Sequence, residues 1–86
     1  MTAAADPVRV RLFAGAAEAV GTDAVTSGAA TIGDLVDELV AASGEATTRD
    51  VLARCSFLVA GRRTDDPGHA LPRGSVVDVL PPFAGG

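Results

Sequence analysis

The sequence predicts an α+β roll in which one main helix crosses one face of a mixed sheet. Three observations predict it. Residues Val8–Leu12 alternate between apolar and charged, residues Thr31–Ser43 carry an apolar stripe at helical spacing, and two β-rich runs, Cys55–Ala60 and Ser75–Leu80, follow that helix. Strands on both sides of one long helix suit a sheet with a single covered face. With 86 residues the chain is one domain, which we bound at residues 8–80 with a flexible leader at 1–7 and an extended tail at 81–86.

The first strand places Val8, Val10 and Leu12 on one face and Arg9, Arg11 and Phe13 on the other. Arginines mark the outer face, so Phe13 is a large ring on the solvated side. The Ala-rich stretch from Gly15 to Val20 allows one or two helical turns. Asp23–Ser27, bracketed by Gly21 and Gly28, then reads as a hairpin partner for the first strand. In the main helix, Ile32, Leu35, Val36, Leu39 and Val40 share a stripe, while Asp34, Asp37 and Glu38 face away. Thr31 suits the N-cap and Gly44 the C-terminal stop. Thr47–Arg54 reads as a short helix anchored by Val51 and Leu52. Cys55–Ala60 reads as a strand with both faces covered or nearly so, and Gly61-Arg62-Arg63 as a turn. Leu71 is expected in the core before a turn at Pro72-Arg73-Gly74. The last strand sets Val77 and Val79 on one face and Val76, Asp78 and Leu80 on the other. If the first and last strands are neighbours, Phe13 and Leu80 form an apolar patch on the open face, and such patches mark binding surfaces.

Composition narrows the function classes. Seven basic residues against eleven acidic give a net charge of −4, which disfavours nucleic acid as a partner. No apolar run approaches a membrane span, and the first residues lack the basic start and apolar stretch of a signal peptide. Every basic residue is Arg. Without a lysine, no side chain can form a Schiff base or accept an isopeptide bond. The single Cys55 rules out an internal disulfide and a Cys-based zinc site, and a lone thiol suits a reducing, cytoplasmic setting. Cys55 reads as a small buried hydrophobe. His69 has no ligand cluster around it, so no metal site is expected, and no Ser sits in a nucleophile-elbow pattern.

The informative feature is Pro81-Pro82-Phe83-Ala84-Gly85-Gly86. Two prolines end a ladder and force an extended exit, because they carry no N–H. Gly-Gly lacks Cβ atoms, so it can thread a narrow channel and be approached closely by a catalyst. The reactive atom would be the α-carboxylate of Gly86, which is ionised and inert until ATP activates it as an acyl-adenylate.

The opening VRVRLFAGAAEAVGTDAV and the closing PPFAGG resemble the MoaD/ThiS family of ubiquitin-like sulfur carriers, and within it the small subunits of molybdopterin synthase. The helix and the segment from His69 to Val77 fall where that family has its helix and its final turn and strand. The resemblance implies a β-grasp fold. It implies a chain that is not catalytic alone and binds no cofactor stably. Gly86 would be adenylated by an ATP-dependent enzyme, converted to a thiocarboxylate by a persulfide donor, and inserted into a large catalytic subunit to give up its sulfur. By position, Phe13 and Leu80 match the family's partner-facing sheet, and Arg11, on the same face, occupies a position where the family often has an apolar residue. Pro81 and Pro82 match the hinge, and Phe83, Ala84 and Gly85 the inserted tail. Relatives serving thiamine, cysteine or other sulfur routes, ubiquitin-like conjugation, and a purely non-covalent interaction module are the alternatives.

Overall fold

The computed structural model describes residues 6–82. Eight elements follow one another: β1 (Val8–Leu12), α1 (Ala14–Val20), β2 (Ala24–Ser27), α2 (Ile32–Ser43), α3 (Thr47–Ala53), β3 (Ser56–Val59), β4 (Arg62–Thr64) and β5 (Val76–Leu80). The strands form one sheet in the order β2-β1-β5-β3-β4. β1 and β5 run parallel at its centre, and every other neighbouring pair is antiparallel. Three helices cover one face of this mixed sheet, giving the β-grasp, ubiquitin-like arrangement.

Alternation decides which face is covered. Val8, Val10 and Leu12 of β1, Phe57 and Val59 of β3, and Val77 and Val79 of β5 all turn toward the helices and are buried. Ile32, Leu35 and Leu39 of α2 meet them, with Leu71 closing one end. Val36 and Val40 lie at the margin of the stripe and are only half-buried. Thr31 caps α2 by accepting the Asp34 amide on its hydroxyl, and Gly44 ends the helix with φ 72°. Two further amides of the first turn are satisfied from the loop before β5. Ile32 donates to the His69 carbonyl at 3.1 Å and Gly33 to the Pro67 carbonyl at 2.8 Å. A Cβ on Gly33 would stand 3.2 Å from that Pro67 oxygen, so the missing side chain permits the close approach.

Three readings of the sequence are corrected. First, β3 is covered on one face only: Phe57 and Val59 are buried, while Ser56 and Leu58 are half-buried on the open side. The apolar run includes Leu58, which lies on the uncovered face, and periodicity in so short a run cannot separate that case from a two-sided strand. Second, Arg62 and Arg63 do not turn the chain. They belong to β4, and the turn is the two-residue link Ala60-Gly61, with φ 51° and 83°. Positive φ at both central residues is the mark of a type I′ hairpin, and an alanine in the first position hid it. Third, α3 is anchored by Thr48 and Leu52 rather than by Val51 and Leu52. The buried Thr48 hydroxyl donates to the Ala19 carbonyl at 3.0 Å, satisfying an acceptor in the last turn of α1.

Candidate functional site

The uncovered face of the sheet carries the candidate site. Strand register arranges it in transverse rows. One row runs Ala24, Arg11, Asp78, Leu58 and Arg63 across all five strands. Beside it lie Thr26, Arg9 and Val76. On the other side, toward the end of β5, stand Phe13, Leu80 and Ser56. The Phe13 amide donates to the Val79 carbonyl at 3.1 Å, which continues the β1–β5 ladder and sets Phe13 alongside Leu80. Phe13 is 40% exposed and is the one large hydrophobic residue so exposed among the described residues. Leu80 is half-buried beside it. The patch expected from alternation therefore exists because β1 and β5 are neighbours.

Arg11 and Asp78 form a bidentate pair in the middle of the face. Arg11 Nε donates to Asp78 Oδ1 at 2.6 Å and Nη2 to Oδ2 at 2.9 Å. The hydrogen bond to Asp78, and then its charge, raise the Arg11 pKa above its already high ordinary value. The side chains are 59% and 18% exposed, so the fork lies on the surface with the carboxylate tucked beneath it. The planar geometry of such a fork fixes both side chains in direction as well as in charge. The sequence marks Asp78 only as an outward residue of the last strand. Nothing in the local pattern tells which residue 67 positions away it will meet.

At the end of β5 the ladder stops. Pro81 is half-buried and Pro82 exposed. Neither has an N–H to give a neighbouring strand, which accounts for the end of pairing at Leu80. Phe83, Ala84, Gly85 and Gly86 lie outside the described residues, as do residues 1–5 of the expected leader. Within the leader, the Asp6 carbonyl accepts the Gly74 amide at 3.2 Å.

Cys55 lies away from this face. It packs against the core on the helix side, half-buried, and its thiol donates to the Val51 carbonyl at 3.3 Å. Burial pushes its pKa up, which disfavours the thiolate. No helix among the described residues is long and apolar enough to cross a membrane.

Among solved structures, SAMP1 from Haloferax volcanii is 30% identical, with a TM-score of 0.71 over 93% of this chain and 99% of that one. A putative molybdopterin converting factor, subunit 1, from Pyrococcus furiosus is 22% identical, with a TM-score of 0.72 over 91% of this chain and 99% of that one. The complex of subunits 1 and 2 of the molybdopterin-converting factor from Helicobacter pylori 26695 gives 22% identity and a TM-score of 0.66, over 93% of this chain and 99% of the matched one. At 22% identity these last two show a shared fold. No curated protein matches the chain. The ThiS family model matches residues 10–86, from the middle of β1 through the Arg11–Asp78 pair and the two prolines to the final glycines, and the chain thus belongs to the ThiS family.

Proposed function

We propose that the protein is a sulfur carrier whose Gly86 carboxylate is activated and thiolated, and that it serves as the small subunit of molybdopterin synthase. The observation that carries the reading is the family match running through to Gly86, on a domain whose last strand stops at Leu80 and is followed by Pro81-Pro82. The likeness to molybdopterin converting factor subunits supports the choice of pathway.

The chemistry needs an outside enzyme. The Gly86 carboxylate oxygen attacks the α-phosphate of ATP, and pyrophosphate leaves. The terminal sulfur of a protein persulfide then attacks the acyl carbon and displaces AMP. A second thiol on the donor side then attacks the donor's own cysteine sulfur in the resulting acyl disulfide; the S–S bond breaks, the thiocarboxylate leaves on Gly86, and the two donor-side sulfurs are left as a disulfide. The sheet face around Phe13, Leu80 and Arg11 docks on the activating enzyme and, later, on a large catalytic subunit. Pro81 and Pro82 direct the tail, and Phe83 to Gly85 enter the partner's channel. No step uses a thiol of this chain, in keeping with the raised pKa of Cys55. The setting is cytoplasmic, where the persulfide and thiol are sustained.

A second reading is supported by the 30% identity to SAMP1, a small archaeal modifier protein. In it the same acyl-adenylate is consumed by a lysine amine on another protein. One experiment separates the two. The full chain is incubated with an ATP-dependent activating enzyme and a persulfide donor, and then analysed by intact mass. Exchange of one oxygen for sulfur supports sulfur carriage; new isopeptide adducts on lysines of other proteins support tagging; neither, with no ATP-dependent pyrophosphate release, refutes both.

A further inference from the structure

We propose that the open sheet face docks on an acidic protein surface, with Arg9 and Arg63 as the cations that receive the partner's carboxylates. The inference deepens the reading above and rests on it for the identity of the face, not for the chemistry at Gly86.

The basis is a segregation of charge that the net value conceals. The strands carry Arg9, Arg11, Arg62 and Arg63 against Asp78 alone, whereas the helices carry Glu18, Asp34, Asp37, Glu38 and Asp50 against Arg49. A chain with a net charge of −4 therefore has a cationic sheet and an anionic helical layer. On the open face the cations are not equivalent. Arg11 is already engaged in the fork with Asp78. Among the described residues, neither Arg9 nor Arg63 makes an ion pair. Arg9 lies on β1 and Arg63 on β4, three strand spacings across and two residues along the sheet, or about 16 Å apart.

Between these two cations lie the half-buried Val76 and Leu58 and the Arg11–Asp78 fork, whose carboxylate is already paired. Beside Arg9 and Arg11 the sheet forms a shallow depression of about 470 Å³, floored by Ala24, Thr26 and Val76. A partner suited to this face presents an aliphatic side chain for the depression and carboxylates spaced to meet both arginines. A nucleic acid fits poorly, because Val76 and Leu58 cannot repay the desolvation of phosphates and the helical layer repels them. A protein surface can offer carboxylates to the cations and an aliphatic side chain to the depression beside them. Opposed potentials of this kind speed encounter and fix orientation.

The sign of the salt effect makes this testable. Whole-molecule charge predicts that an acidic partner binds better as salt rises; the local pattern predicts the reverse. The isotope-labelled full chain is titrated, by NMR, with a synthetic glutamate–leucine peptide, and in parallel with a short DNA duplex. Shifts are expected at Arg9, Arg63, Leu58 and Val76, with affinity falling severalfold from about 50 to about 200 mM salt. The double variant Arg9→Glu/Arg63→Glu should lose binding, while Glu18→Arg/Glu45→Arg on the opposite side should retain it. Both variants change exposed side chains and should melt like the parent, which keeps the comparison clean. Shifts centred on the helices, binding that ignores salt, an unaffected Arg9→Glu/Arg63→Glu variant, tighter binding of the duplex, or the same shifts on concentrating the chain alone would each overturn the proposal. Intact peptide binding without sulfur or isopeptide chemistry at Gly86 would refute the functional reading and leave this surface standing.

Discussion

Replacing Leu35 by Ala tests the packing that holds the open face in place. Leu35 is fully buried, at 0% exposure, in the middle of α2 and against the strands that display Arg11 and Asp78 on their other side. Removing its three outer carbons forfeits about 2 kcal/mol of transfer free energy, at about 0.8 kcal/mol per group. The cavity term brings Leu→Ala losses at such sites to about 3–5 kcal/mol. For a chain of this length the unfolding entropy near the melting point is about 0.18 kcal/mol/K, so a loss of about 3 kcal/mol lowers Tm by roughly 17 °C. That is a large part of the about 4–13 kcal/mol that a domain of this size has in total. The assay is thermal and urea unfolding followed by circular dichroism, with Val36→Ala as the comparison. Val36 is the next residue along the helix but only half-buried, so its loss should be about 1 kcal/mol and a Tm shift of about 5 °C. Equal shifts for the two variants would refute the orientation assigned to α2 and the burial argument with it.

Other perturbations follow from the same geometry. Leu39→Asp places a charge in the buried stripe and should unfold much of the domain, seen as loss of a cooperative melting transition. Ala60→Gly should raise stability by up to about 1 kcal/mol, since Ala60 holds φ 51° in the hairpin link; a lower urea midpoint would contradict the strain. Phe13→Arg or Leu80→Arg should weaken docking on the activating enzyme while leaving Tm nearly unchanged; unchanged affinity in both would mean the open face is not the docking surface. Cys55→Ser should retain sulfur transfer. Because burial raises the Cys55 pKa in the folded protein, the unfolded chain ionises first as pH climbs past about 8.5, and stability falls there. The alkaline loss should be smaller in Cys55→Ser, and identical pH profiles by urea titration would count against the buried thiol.

Elements with strong local periodicity were readable before the fold was known. The α2 stripe with its Thr31 cap and Gly44 stop, the alternation of β1 and the two faces of β5 follow from spacing alone, since periods of 3.6 and 2 sort side chains without reference to anything distant. Thr48 escaped notice because a buried hydroxyl needs a partner, and its partner sits on another helix. The β4 strand escaped because Ala60 occupies a position where Gly or Asn is the usual signal.

What the chain determined by itself was which residues could be inside and which sides of β1 and β5 are polar. What only the tertiary structure decided was adjacency. Inserting β5 between β1 and β3 makes neighbours of Phe13 and Leu80, draws Arg11 onto Asp78, and spreads Arg9 and Arg63 across one face. Local sequence encodes the direction of a side chain through backbone geometry, but which strand lies beside which is settled by how the buried faces of all five pack under the helices at once.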